Sequence, residues 1–187
     1  GVKGVTALAD AIRAMAVIVS INCLANKFGE EGLSTLLASI KDTSVRSLCG
    51  LIEGQTVADF SGQNLGPIDC KIMAAEFAFQ GFIAVVNALL LSGNGLTGAT
   101  FYDSGNVRDG VDTQMDGIIS LFVSLRTSQI TMLDLSRCGL GPASMGHLAD
   151  YLRDATAALT KVDISGAEID EEDFATLKVA GPQGCEV

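Results

Sequence analysis

Tryptophan is absent from this 187-residue chain, histidine occurs once, proline three times and tyrosine twice. A core of such a chain is built from Leu, Val, Ile and Ala rather than from large rings. A single histidine leaves Cys/His zinc sites without their usual ligands. Basic residues are scarce as well, 12 Lys and Arg against 22 Asp and Glu, for a net charge of −10. Phosphate neutralisation supplies much of the affinity for nucleic acid, so this balance argues against nucleic-acid partners, and equally against adhesion to an anionic membrane surface. Long apolar runs are missing too. The longest, Phe82 to Leu91, is interrupted by Asn87, whereas a membrane-spanning helix needs about twenty apolar residues; no membrane insertion is expected. No secretory leader is visible, because Asp10 and Arg13 break the first apolar pattern.

The five cysteines, Cys23, Cys49, Cys70, Cys138 and Cys185, are odd in number and form no C-x-x-C pair. They read as reduced thiols, in the cytoplasm or another reducing intracellular compartment. Apolar residues make up 48% of the chain, enough to bury a sizeable core in one domain spanning residues 1–187.

The stretch Leu89 to Gly98, LLLSGNGLTG, contains a literal G-x-G-x-x-G in Gly93, Gly95 and Gly98. A dinucleotide site needs a helix to begin directly after those glycines, so that its first N–H groups meet the pyrophosphate. ATFYDSGNVRDGVDT follows instead, with turn chemistry and no helical stripe. Self-similarity supplies the better explanation. IVSINCLANKF (18–28), QTVADFSGQNL (55–65), VNALLLSGNGL (86–96), ITMLDLSRCGL (130–140) and LTKVDISGAEI (159–169) align in one frame. One column holds Asn26, Gln63, Asn94, Cys138 and Ala167; two residues on stand Phe28, Leu65, Leu96, Leu140 and Ile169. All five fit L-x-x-L-x-L-x-x-(N/C)-x-L.

Helix-like segments lie between these copies. Residues 30–41, 67–79, 116–126, 142–152 and 171–179 are candidates, and Pro67 and Pro142 suit the first helical position. Residues 3–16 look like a helix without a strand of its own. With the opening Gly1, that reads as a piece of a longer array. Strand, turn and helix in repetition resembles the leucine-rich repeat of the ribonuclease-inhibitor type, and the segment 47–79 resembles repeats of algae and other protists. The resemblance implies an α/β solenoid, a horseshoe arc of about five repeats with parallel strands on the concave face and helices on the convex face. Spacings between copies exceed the unit of about 28 residues chiefly near 46–54 and 99–113, which read as inserted loops on one edge.

Alternation along each strand places Asn22, Asp59, Leu90, Asp134 and Asp163 in a central outward file. Ser20, Val57, Ala88, Met132 and Lys161 run on one side, and Leu24, Ser61, Ser92, Ser136 and Ser165 on the other. Adjacent strands lie about 4.8 Å apart, so Asp134 and Asp163 are like charges side by side. Two readings stand: water and Lys161 screen the pair, or the pair meets Lys or Arg of a protein partner. No third convergent ligand suggests a metal. Asn26 and Asn94 read as turn residues satisfying backbone groups, Cys138 as a small buried apolar residue, and His147 as a helix-surface histidine. The acidic run Glu168–Asp173 suits a helix N-terminus. Phe101 and Tyr102 either anchor a partner or pin the second insert over the core.

No acid, base and nucleophile converge, so the expected function is non-catalytic and without cofactor. The chain reads as a protein–protein interaction module with a partner of possibly basic character. A structural subunit of a large ciliary, cytoskeletal or organellar assembly is the alternative. The resemblance extends to the GTPase-activating protein for Ran, but that family adds a long acidic tail unlike the GPQGCEV at 181–187, which ranks this role third.

Overall fold

The structure is a computed structural model that describes residues 2–15, 17–79, 81–154 and 159–187. Among the described residues, six α-helices and six short strands are formed: α1 (Val2–Ala14), α2 (Glu30–Ser39), β1 (Val57–Asp59), α3 (Pro67–Phe79), β2 (Ala88–Leu90), β3 (Thr100–Phe101), β4 (Val107–Asp109), α4 (Asp116–Leu125), β5 (Met132–Asp134), α5 (Pro142–Asp154), β6 (Lys161–Asp163) and α6 (Glu171–Ala180). Every helix expected from periodicity is present, with ends moved by a residue or two; residue 16, placed in the first helix by its pattern, lies outside the described residues. Pro67 and Pro142 open α3 and α5, where a missing N–H costs nothing.

Four strands form one parallel sheet in chain order, β1-β2-β5-β6. The register follows the aligned copies: Ala58 opposes Leu89, Leu89 opposes Leu133, and Leu133 opposes Val162. These four side chains are at most 1% exposed. They lie in one apolar core with Leu36, Ile72, Ile118, Leu121 and Leu148 of the helices. Each copy then turns with a left-handed residue at the same position: Ala25, Gly62, Gly93, Arg137 and Gly166 all have φ between 52° and 80°. One column after that, Asn94 closes the turn. Its Nδ2 donates to Phe60 O (2.9 Å) and Leu91 O (2.7 Å), and its Oδ1 accepts from Leu65 N (2.9 Å). Cys138 repeats part of this, with Sγ donating to Leu91 O at 3.1 Å. Asn26 bonds its own turn, its Nδ2 donating to Cys23 O and Leu24 O.

The glycines of LLLSGNGLTG have structural reasons. Gly93 takes the left-handed turn position, and a Cβ on Gly95 would stand 2.3 Å from Ala99 O. An antiparallel hairpin, β3–β4, follows in place of a helix.

Both expected insert loops turn out to be ordered pairings. Residues near 46–49 lie against the first copy as a short irregular rung: Ser20 bridges Ser47 in parallel and Asn22 bridges Cys49 in the antiparallel sense. Ser20 to Ser47 spans 27 residues, close to one repeat unit. Gly50, left-handed at φ 77°, interrupts the apolar pattern of this segment. The buried carboxylate of Glu76 on α3 holds this rung, accepting from Ser47 Oγ (2.6 Å), Leu48 N (2.8 Å) and Cys49 N (2.8 Å).

Candidate functional site

The sheet face away from the helices carries the expected central file, with one correction. Asp59 opposes Leu90, Leu90 opposes Asp134, and Asp134 opposes Asp163. Asn22 does not continue the file, because the rung at 46–49 is its neighbour and takes its backbone pairing. Leu24 is buried rather than outward, since the first copy's turn folds its apolar residue inward where the other copies hold serine. Met132 and Lys161 are neighbours in register beside the acidic pair.

Each file aspartate turns back on its own strand end. Asp59 Oδ1 accepts from Ser61 N at 3.0 Å, Asp134 Oδ1 from Ser136 N at 2.9 Å, and Asp163 Oδ1 from Ser165 N at 2.9 Å. Asn22 Oδ1 does the same with Leu24 N at 3.0 Å. This Asx turn explains the D-x-S spacing, since a carboxylate two residues before an N–H caps the end of the strand. The N–H and hydroxyl of Ser61 hold Asp59 below the ordinary carboxylate range. The hydroxyl and N–H of Ser165, with Lys161 adding charge, do so for Asp163. Both stay ionised at neutral pH. Ser136 Oγ lies 2.7 Å from Asp134 Oδ1 and 2.8 Å from Ser92 Oγ, so a hydroxyl chain crosses two strands to the carboxylate. The D-x-S spacing is the sequence signal that would have found this network.

The two insert aromatics have different places. Phe101 lies over the turns, 3.4 Å and 3.7 Å from where a Cβ on Gly139 or Gly95 would stand. It pins the hairpin. Tyr102 is 57% exposed, with Arg108 5.9 Å above its ring. Arg108 carried no signal in the repeat frame, because the hairpin lies outside it. Asp112, just past the hairpin, accepts from Ala143 N (2.9 Å) and Ser144 N (3.1 Å) and so caps α5. His147 is exposed on α5. Asp170 caps α6, accepting from Glu172 N and Asp173 N at 2.9 Å.

Burial pushes the thiols up, Cys23 to about 11 and Cys138 to about 12, so both are protonated and poorly nucleophilic at neutral pH. Among the described residues, no group of three or more His, Cys, Asp and Glu is placed to hold a metal ion. Among the described residues, no helix is long and apolar enough to cross a membrane. The arrangement offers fixed carboxylates and hydroxyls on one face and an exposed aromatic on the hairpin. No protein-family model matches the chain, and no curated protein matches it.

Proposed function

We propose that the chain is a segment of a leucine-rich-repeat solenoid of the ribonuclease-inhibitor type, working as a non-catalytic protein–protein interaction module. Its open sheet face is the concave recognition surface, and its partner is a protein that presents Lys or Arg. The repeated register and the left-handed residue shared by all five turns support the repeat reading. The observation that carries the function is the pair Asp134 and Asp163, directly opposed in register on an open face. Like charges so placed cost stability, and a basic partner side chain offsets that cost. Repeat arrays present extended surfaces of this kind to proteins. Five free cysteines, four of them buried, suit the cytoplasm or another reducing intracellular compartment.

A photo-crosslinking residue in place of Met132 on the face, compared with one in place of Val123 on α4, tests this in extract from the native source. The face position is expected to label a discrete protein that the helix position does not. Equal labelling from both, or none from the face, contradicts it. A second reading, a structural subunit of a larger assembly, has its own observation: Val17 (83%), Ile52 (66%) and Val179 (87%) are exposed apolar side chains.

A further inference from the structure

The open face is ordered in columns that cross the strands. One column is Val57, Ala88, Met132 and Lys161, and the next is Asp59, Leu90, Asp134 and Asp163, each residue paired in register with its neighbour. The first column is apolar at three of its four places, and Leu90 carries that surface into the second. Val57 is 44% exposed, and Leu90 and Met132 are half-buried. An apolar stripe therefore runs beside an acidic one that is broken once, at Leu90. Rungs added at either side of the sheet would lengthen these columns and cover none of their side chains.

The spacing of the columns selects the shape of what lies along them. Neighbouring rungs stand about 4.8 Å apart, so the three steps from Asp59 to Asp163 span about 14 Å. Three turns of an α-helix rise about 16 Å, which matches them turn for rung. An extended segment laid the same way offers side chains to one face every ~6.6 Å, about 20 Å over three steps, and slips by more than one rung. A segment lying along a single strand meets one carboxylate only. A second copy of this chain is a poor occupant: its net charge is −10. Among the described helices, none carries three basic residues, and α1, with Lys3 and Arg13, sets Asp10 between them.

We propose that the partner lays a basic amphipathic α-helix across the strands of the open face. Lys or Arg at positions i, i+7 and i+11 meet Asp59, Asp134 and Asp163, and an apolar residue at i+4 meets Leu90. Small or apolar residues on the flank of the helix cover Val57, Ala88 and Met132. Anchors repeating once per helical turn are the usual means by which a helix is read by a surface, and here the charged anchors set register while the apolar flank removes surface from water. The inference rests on the reading of this face as a protein-binding surface and adds the shape and residue spacing of the part that binds.

The test is an NMR titration at low salt with the helical peptide acetyl-AAAKAAALAAKAAAKAA-amide. Two controls carry the same number of lysines: that peptide with proline in place of the alanine after its leucine, which breaks the helix, and the extended acetyl-VKVKVKV-amide. The helical peptide is expected to bind at least about ten-fold more tightly than either control, and Asp134→Lys/Asp163→Lys to weaken it at least about ten-fold. Leu90→Asp is expected to weaken it about five-fold, and a peptide with lysine in place of its leucine to regain affinity for that variant. Equal binding of helical and control peptides that Asp134→Lys/Asp163→Lys still weakens overturns the helix and leaves the basic-partner reading standing. A lysine-for-leucine peptide that gains nothing on the Leu90→Asp variant overturns the placement of i+4 over Leu90. Binding that the double charge reversal leaves unaltered, or no binding at millimolar peptide, overturns both the helix and the basic-partner reading.

Discussion

Single residues in this chain are governed by the repeat frame before they are governed by anything else. Ala25 and Arg137 occupy a turn position whose other holders are Gly62, Gly93 and Gly166, and all five are left-handed. A side chain there costs about 1–2 kcal/mol, partly offset because glycine gains freedom in the unfolded chain. Arg137→Gly is accordingly expected to raise the melting temperature by about 1–3 °C, and Gly93→Ala to lower it; thermal unfolding followed by circular dichroism checks both. The file aspartates make a second residue-scale prediction. Asp59 and Asp163 hold protons more weakly folded than unfolded, because Ser61 and Ser165 hydrogen bonds favour the carboxylate. Their stabilisation is fully present above the unfolded value of about 3.9 and is lost as pH falls through their lower folded values. Asp69 runs the other way: burial raises its proton affinity, so its contribution is present at low pH and lost as pH rises through the folded value. Urea midpoints of the Asp59→Asn/Asp163→Asn double variant should fall less between pH 5 and pH 2.5 than those of the unaltered protein. An equal or steeper fall contradicts the assignment.

At the scale of elements, the hairpin β3–β4 is tied to the next repeat rather than hung from it. Asp112 caps α5, and Thr97 Oγ1 donates to Gly139 O at 2.8 Å while accepting from Asp112 N at 3.2 Å. Losing an N-cap carboxylate costs about 0.5–2 kcal/mol. Asp112→Ala should therefore lower the melting temperature by a few degrees with the sheet intact by far-ultraviolet circular dichroism, whereas a free-hanging insert would leave stability unchanged. The elements also show what the sequence made legible. Strands β1, β2, β5 and β6 were readable because four copies keep apolar residues at two spaced positions, and the parallel register then placed Asp134 beside Asp163. The helices were readable from their 3.6-residue stripes. The rung at 46–49 was not, because its pairing depends on Glu76 reaching back from α3 over 27 to 29 residues of chain, and Gly50 interrupts its pattern. The hairpin was not, because strands of two and three residues carry too little pattern to show a period. Asn22 left the expected file for the same reason: its neighbour is a rung that local patterning hides.

Over the whole molecule, a net charge of −10 sets the sign of any partner that is to dock with long-range attraction. Asp134 and Asp163 stand side by side on the open sheet face. The parallel register of β5 and β6 holds these carboxylates in place, so on the proposed reading little ordering cost remains for binding. The most direct measurement is calorimetric titration of the crosslinked partner, once isolated, against three proteins: the unaltered chain, Asp134→Lys/Asp163→Lys on the face, and Asp150→Lys/Glu172→Lys on the helices. Recognition through the sheet face requires at least a ten-fold weaker Kd for the face variant and little change for the helix variant, with the difference shrinking at high salt. Equal affinity for all three, or equal loss in both variants, would show that the partner is held elsewhere.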